Sequence, residues 1–229
     1  MKTFYIVAKD DSKVDEVKAL FESKGFKFVK DAPDFIVCLG GDGTFLMSER
    51  QYPGVPKLLV RDSLVCFKCH DEPIQEMIEK LLEGRVFAKD FMKLEASYDS
   101  KSFIAANDVI IRNNDPTRGV RFSVFVDGKQ VYDNLIGDGL VIATPFGATG
   151  YYKSITRDEF CNGIGIAFNN TTKEVEHLKV PEDSEVIVKI IRGEAQLAHD
   201  NSRDIVLMQP GDSVTVKKSS DVSRLLVHA

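Results

Sequence analysis

Phe35-Ile36-Val37-Cys38-Leu39-Gly40-Gly41-Asp42-Gly43-Thr44 is the stretch on which the fold turns. Its first five residues form a continuous apolar run, hence a buried strand, and the glycine-rich turn that follows at once leads into a short helical stretch. Tyr52-Pro53-Gly54 must end that helix, and Pro56 to Val60 suggests the next strand. Toward the N-terminus, Phe4 to Ala8 reads as a strand. Ser12 is expected to cap a helix whose Val14, Val17, Leu20 and Phe21 fall on one face, with Gly25 where a helix C-terminal glycine belongs. Toward the C-terminus, Pro73 at a helix N1 position opens a helix with Ile74, Met77, Ile78, Leu81 and Leu82 inward, stopped by Gly84. Short apolar runs alternating with helical patterns describe a βα-repeating layer with a mainly parallel sheet.

From about residue 86 the period changes from that of a helix to that of a strand. Val120, Phe122, Val124 and Val126 alternate with Arg121, Ser123, Phe125 and Asp127, and Asp127-Gly128 is a hairpin signal. Leu140 to Thr144, Ile164 to Phe168, Glu185 to Ile191 and Ile205 to Met208 read as further strands, with Pro210-Gly211-Asp212 turning into Val214 to Val216. The expected class is α/β plus β. A Rossmann-like α/β domain over residues 1–88 is packed on a β-sandwich-like domain over 89–217, and the segment from about 218 to 229 packs back on the first. The boundary carries no Pro/Gly/Ser linker, so the binding site is expected in the cleft between the domains.

Composition excludes several classes. The formal net charge is −5 and the basic residues are scattered, so the electrostatic footprint of a nucleic-acid binder is missing. No apolar run approaches the roughly 18 residues of a membrane span, and residues 1–11 are too short in their apolar part for a signal peptide. The expectation is a cytoplasmic protein with neither nucleic acid nor membrane as partner. Cys66, Cys69 and His70 form a C-x-x-C-H string, on paper a c-type haem attachment site. That chemistry belongs outside the cytoplasm, and a zinc site would need a second ligand pair where only the isolated Cys38 and Cys161 remain. The expected state is therefore two thiols on a loop or short strand, without haem or zinc.

Chemistry concentrates in three places. Gly40-Gly41-Asp42-Gly43-Thr44 lies where a strand ends and a helix begins, where backbone N–H groups and the helix dipole favour phosphate. It is neither the G-x-G-x-x-G fingerprint nor a P-loop. An aspartate among phosphates repels them unless it binds a cation or takes up a proton, which singles out Asp42. Gly137-Asp138-Gly139-Leu140-Val141-Ile142-Ala143-Thr144-Pro145-Phe146-Gly147-Ala148-Thr149-Gly150-Tyr151 combines a turn, a strand and a second turn that could grip a nucleotide, or else form a hairpin with an ordinary loop. Asn107-Asp108 heads the apolar strand Val109 to Ile111, where an amide and a carboxylate suit the vicinal hydroxyls of a ribose but also suit a plain turn.

Taken together, from about residue 34 to 200, these three elements resemble the NAD kinase family. The resemblance makes Asp42 the catalytic base and places Gly41, Gly43, Thr44 and Phe67 at the nucleotide. Asn107 and Asp108 match the family's Asn-Glu pair that holds ribose hydroxyls, and Asp138, Thr149, Gly150, Tyr151 and Ser154 match its dinucleotide contacts. It implies phosphorylation of the 2′-hydroxyl of the adenosine ribose of NAD to give NADP. It further implies ATP or polyphosphate as donor, a divalent metal such as magnesium, and a homodimer or homotetramer. The chain departs from the pattern at Asp108 (family Glu), Phe146 (Thr), Ala148 (Ser) and Gly150 (Ala). It also lacks the glycines usual after Ser154, where Ile155 to Glu159 stand, and those usual in the loop Val60 to Phe67. Two other functions fit parts of the pattern. Lipid kinases share the Gly-Gly-Asp-Gly start, but residues 55–85 hold nothing like their Gly-Thr-Gly-Asn-Asp motif, and a non-catalytic dinucleotide sensor would tolerate the missing glycines.

Overall fold

The computed structural model describes residues 2–63, 66, 68–69 and 72–228. The chain divides into two compact units, Met1–Phe91 with Val222–Ala229, and Met92–Asp221. Among the described residues no helix is long and apolar enough to cross a membrane.

Unit 1 begins with β1 (Thr3–Ala8), α1 (Val14–Ser23), β2 (Lys27–Phe28), β3 (Phe35–Gly40), α2 (Asp42–Gln51), β4 (Lys57–Arg61) and α3 (Ile74–Leu82). The strands lie in the order β2-β1-β3-β4, and every pair is parallel. All six residues of β3 are buried, as a strand covered on both faces requires. Phe35, Val37 and Leu39 share one core with Val17 and Phe21 of α1 and Met77, Ile78 and Leu81 of α3. Cys38 is on the alternate face, and its Sγ meets Ser48 Oγ of α2 at 2.8 Å. A ring cluster closes the core, with Phe4 and Phe21 stacked at 4.8 Å. Lys57 of β4, fully buried, forms an ion pair with Glu49 of α2 and donates to Tyr52 O at 2.6 Å, which ties the C-terminal half of α2 to the sheet.

Three local expectations are corrected. Ser12 does not cap α1: it sits in a 3-10 turn, Asp11–Lys13, whose cap is Asp10, the Asp10 carboxylate accepting the Ser12 N–H at 3.0 Å. Because the Asp10 carboxylate closes this 3-10 turn ahead of the helix, α1 begins only at Val14, with Lys13 at its N-cap and no side-chain cap hydrogen bond. Pro73 stands one residue outside α3, as its cap, with ψ 142°. Leu82 does not point inward but is 55% exposed, because the inward stripe of α3 is already filled by Met77, Ile78 and Leu81.

Unit 2 follows with β5 (Val86–Tyr98), β6 (Lys101–Ala105), β7 (Asp108–Asn113), β8 (Val120–Val126), β9 (Lys129–Gly137), β10 (Gly139–Ala143), α4 (Tyr151–Thr156), β11 (Ile164–Asn169), β12 (Leu178–Val180), β13 (Val186–Arg192), β14 (Ala195–His199), β15 (Val206–Met208) and β16 (Ser213–His228). Its first sheet runs β16-β13-β8-β9, with β5 beside β16 and β6 beside β5. The second is antiparallel in the order β12-β11-β10-β7-β14-β15. Phe122, Val124, Val186 and Val188 from one sheet and Ile111, Leu140, Ile142 and Ile166 from the other belong to a single buried cluster, which makes unit 2 a β-sandwich. Asp127 and Gly128 turn the β8–β9 hairpin with φ of +50° and +74°, the left-handed pair such a turn requires. The C-terminal part of β16 returns to unit 1, where Leu225 pairs in parallel with Lys57. Where an ordinary loop was one expectation after Thr144, the chain makes a 3-10 turn, Gly147–Thr149, and then α4. Tyr152 of α4 is buried against Val141, Ala143 and Ala167 on the outer face of the second sheet.

Candidate active site

The unit 1 cluster forms where β3 ends. Gly40 has φ +156°, and a Cβ there would lie 2.2 Å from Thr44 Oγ1, so the turn closes only with glycine. Gly41 is the extended cap of α2, and its carbonyl accepts the Thr44 N–H at 2.9 Å. Asp42 opens the helix, half-buried, with Gly43 exposed and Thr44 buried behind it. One Asp42 oxygen, Oδ1, accepts the Lys68 N–H at 3.3 Å and lies 3.3 Å from Cys66 Sγ. A groove of about 490 Å³ opens at the carboxyl ends of β3 and β4, lined among others by Lys13, Leu39, Val60, Arg61 and Asp62. That is where ligands of parallel α/β sheets bind.

The expectation of two thiols at Cys66 and Cys69 is overturned. They form a disulfide, with Cα atoms 5.5 Å apart. The physical reason is proximity, since Cα atoms at that separation put two thiols within bonding reach; Cys66 O also accepts from Arg61 Nη2 at 2.7 Å, and the Lys68 N–H is held by Asp42. Phe67 and His70 of the sequence reading lie outside the described residues, as do Leu64 and Val65 of the loop Val60 to Phe67.

In unit 2 the Asp200 carboxylate organises the strand head. It accepts the N–H groups of Ala106 at 2.9 Å, Asn107 at 2.7 Å and Asp108 at 3.2 Å, and its own N–H returns to Asp108 O at 2.9 Å. Thr144 donates to Ala106 O at 2.7 Å through its hydroxyl and to Asn107 O at 2.8 Å through its N–H. The next turn then folds over Asn107 so closely that a Cβ at Gly147 would stand 2.3 Å from Asn107 O. Among the described residues, Asn107 Oδ1 is a buried acceptor with no hydrogen-bond partner. Burial, and after it the neighbouring Asp200 carboxylate, push the Asp108 carboxyl up to about 7. Burial likewise raises Asp200, against the opposing pull of its three N–H donors.

The predicted residues fall into two groups in this unit. Asn107 and Asp108 meet the turn that carries Thr149 and Gly150, beside the head of β7. Asp138 sits at the other end of β10, roughly 20 Å of extended chain from Thr144. There it accepts from Asn170 Nδ2 at 3.0 Å, while the adjacent Asn169 donates to the Tyr151 hydroxyl at 3.1 Å. Ser154 is exposed, and its hydroxyl donates to Tyr151 O at 2.7 Å. Sequence reasoning missed Asp200, whose only signal is a carboxylate just beyond a strand. Thr144 and Gly147 were within the quoted motif but not assigned to the site.

A parallel βα layer with a glycine-rich strand-to-helix turn, in one chain with a β-sandwich, is also the fold of solved pyridine-nucleotide kinases. An NAD kinase from Archaeoglobus fulgidus in complex with ATP superposes with a TM-score of 0.84 over 99% of this chain and 94% of its own, at 20% identity. Yeast NADH kinase complexed with NADH gives 0.86 over 100% and 84%, at 17% identity. These likenesses establish the fold. No family model matches the chain. The NAD kinase of Sulfurisphaera tokodaii is 32% identical over 182 residues, 76% of this chain and 71% of that protein. The chain belongs to the NAD kinase family, enzymes that phosphorylate NAD.

Proposed function

We propose that the chain phosphorylates the 2′-hydroxyl of the adenosine ribose of NAD to give NADP, with ATP or polyphosphate as donor. The observation that carries this reading is the Asn107 side chain, whose buried oxygen has no partner among the described residues at a strand head built by three other groups. An unpaired buried acceptor is costly unless a ligand hydroxyl completes it. Asn107 and Asp108 hold the ribose. Thr149, Gly150, Tyr151 and Ser154 line the turn and helix that follow, and Asp138 serves the far end of the same ligand. A dinucleotide has two nucleoside ends, which suits two polar clusters set apart along β10.

In unit 1 the Gly41 to Thr44 turn receives the donor's phosphates, and Asp42 accepts the proton of the attacking hydroxyl. Most of the rate then comes from positioning and charge stabilisation. Among the described residues no group of three or more His, Cys, Asp or Glu could cage a metal. Magnesium carried on the donor's phosphates, with Asp42 as the carboxylate beside them, fits that donor set and would neutralise developing charge. The NAD-binding unit is the β-rich one, the donor-binding unit the α/β one. The protein works in the cytoplasm as a homodimer or homotetramer, since family sites are completed by a neighbouring subunit.

Incubating purified protein with NAD, magnesium and either ATP or polyphosphate, then assaying NADP, tests the reading. NADP formed with at least one donor is expected. NAD binding without turnover under either would overturn it. Sedimentation as a fully active monomer would overturn the oligomer.

A further inference from the structure

We infer that Asn169 is a positioning residue for the dinucleotide: its side chain fixes the direction of the Tyr151 hydroxyl, so that Tyr151 donates to an acceptor oxygen of the ligand, and its carbonyl seats Asp138. The inference rests on the reading of Tyr151 and Asp138 as NAD contacts. Asn169 is the last residue of β11 and stands opposite Gly139 of β10. In that register its carbonyl accepts the Asp138 N–H at 2.9 Å, while its side-chain Nδ2 donates to the Tyr151 hydroxyl at 3.1 Å. The next residue, Asn170, donates to Asp138 Oδ2 at 3.0 Å, and Asn113 Nδ2 lies 3.4 Å from the other oxygen. One dipeptide thus touches two groups from different elements, the aspartate just ahead of β10 and the first residue of α4. The approach is built into the backbone. Asn170 has φ +48°, a left-handed conformation that asparagine tolerates, and the Thr172 N–H donates to Ile136 O at 2.8 Å, which folds the segment over Gly137. A Cβ at Gly137 would lie 2.9 Å from Asn169 O and 3.0 Å from Thr171 Cα, so a side chain there would push the segment away.

The direction of the Asn169–Tyr151 hydrogen bond follows from the groups that make it. An amide nitrogen donates and cannot accept, so the Tyr151 oxygen is the acceptor and its own proton points elsewhere. A phenolic hydroxyl left to itself turns freely and serves as donor or acceptor by turns. Asn169 removes that choice and presents Tyr151 as a donor before any ligand arrives, which spares binding the cost of orienting it. Tyr151 is half-buried and follows directly on Thr149 and Gly150, so the donor stands at the turn assigned to the dinucleotide. Phosphate and carbonyl oxygens of a dinucleotide are acceptors and fit it. Asp138 is an acceptor held in place by the Asn169 carbonyl and by the amide of Asn170.

The experiment measures NAD binding by calorimetry and NADP formation with ATP and magnesium in wild type, Asn169→Asp, Asn169→Ala, Tyr151→Phe and the double variant Tyr151→Phe with Asn169→Asp. Aspartate keeps the size of Asn169 and its backbone carbonyl but accepts where the amide donated, so the Tyr151 proton turns toward it and away from the ligand. Asn169→Asp should weaken NAD binding about tenfold, the loss of one donated hydrogen bond, and Asn169→Ala, which leaves the hydroxyl free to turn, only about threefold. Both losses should fall on the NAD affinity and KM rather than on kcat or the KM for ATP, at an unchanged melting temperature. Tyr151→Phe should cost about as much as Asn169→Asp, and adding Asn169→Asp to it should cost little more, because the hydroxyl to be turned is gone. Unchanged affinity in Asn169→Asp would overturn the inference. So would a full further loss in the double variant, which would make the effect one of charge alone, or equal losses in the aspartate and alanine variants with a lowered melting temperature, which would leave Asn169 a structural tie. Wild-type protein that binds NAD without forming NADP ends the kinase reading alone, since the affinities still decide the inference, whereas wild-type protein that binds no NAD overturns both.

Discussion

In unit 1 the residues that carry chemistry are neighbours in the chain, Gly40 to Thr44 at the end of one strand. In unit 2 the corresponding cluster joins Asn107 and Asp108 to Thr144 and Gly147, and to Asp200, 93 residues beyond Asn107. The first is a backbone device: Gly40 lets the turn close, and one carboxylate is presented on it. The second is a network of buried polar groups that hold one another, with Asn107 Oδ1 left open among them. Function and stability should therefore separate in unit 1, where a side chain can be changed on a turn that survives, and stay coupled in unit 2, where each removal strands a partner.

The largest effect is expected at Asp42. Asparagine keeps its size and can still accept the Lys68 N–H, but cannot act as a base. Asp42→Asn should lower the rate of NADP formation by about 100-fold to 10,000-fold while NAD affinity and melting temperature hold. Recovery at high magnesium would make Asp42 a metal ligand instead, and near-normal turnover would end the enzymatic reading of the turn. Asp200→Ala comes next. Three N–H donors lose their acceptor, and an unfolding free energy lower by about 3 to 5 kcal/mol is expected in denaturant titrations, together with weaker NAD binding. A stable variant with unchanged affinity would show that the unit 2 cluster is not a network.

Asp108→Ala should weaken NAD binding by about 1 to 3 kcal/mol in calorimetry, the cost of a buried hydroxyl left without its partner. Unchanged affinity would reduce Asn107-Asp108 to a turn. The smallest effect is a pH dependence. The folded protein holds the Asp108 proton up to about 7, through burial first and the Asp200 charge second, whereas the unfolded chain loses it near the ordinary carboxylate value. Its contribution to stability is thus complete below pH 4 and is lost as pH rises toward and through about 7. Melting temperatures of wild type and Asp108→Asn should diverge in favour of the variant between pH 4 and 7, and the gap should be constant above pH 8. A gap that does not change with pH would mean that Asp108 ionises normally in the folded state.

How much of this was legible in the sequence follows from the range of the forces involved. The strand Phe35 to Gly40, the helix that Tyr52-Pro53-Gly54 ends and the Asp127-Gly128 hairpin were all readable, because burial period and left-handed φ are written into neighbouring residues. The family was readable from three motifs in order, and the relatives bear it out. Side-chain direction at an element's end was not: Leu82 matches the helical stripe in spacing yet faces solvent, and Ser12 lies within a 3-10 turn capped by Asp10 rather than at the start of α1. Nor could spacing alone show that Cys66 and Cys69 are joined, since the bond depends on their Cα atoms standing 5.5 Å apart, a distance that C-x-x-C spacing permits but does not impose. Asp200 stands in no motif at all. Local chemistry is carried by adjacent residues and was determined by the sequence itself, whereas a carboxylate that gathers three distant N–H groups exists only once β7 and β14 have paired, and that pairing was decided by the tertiary structure.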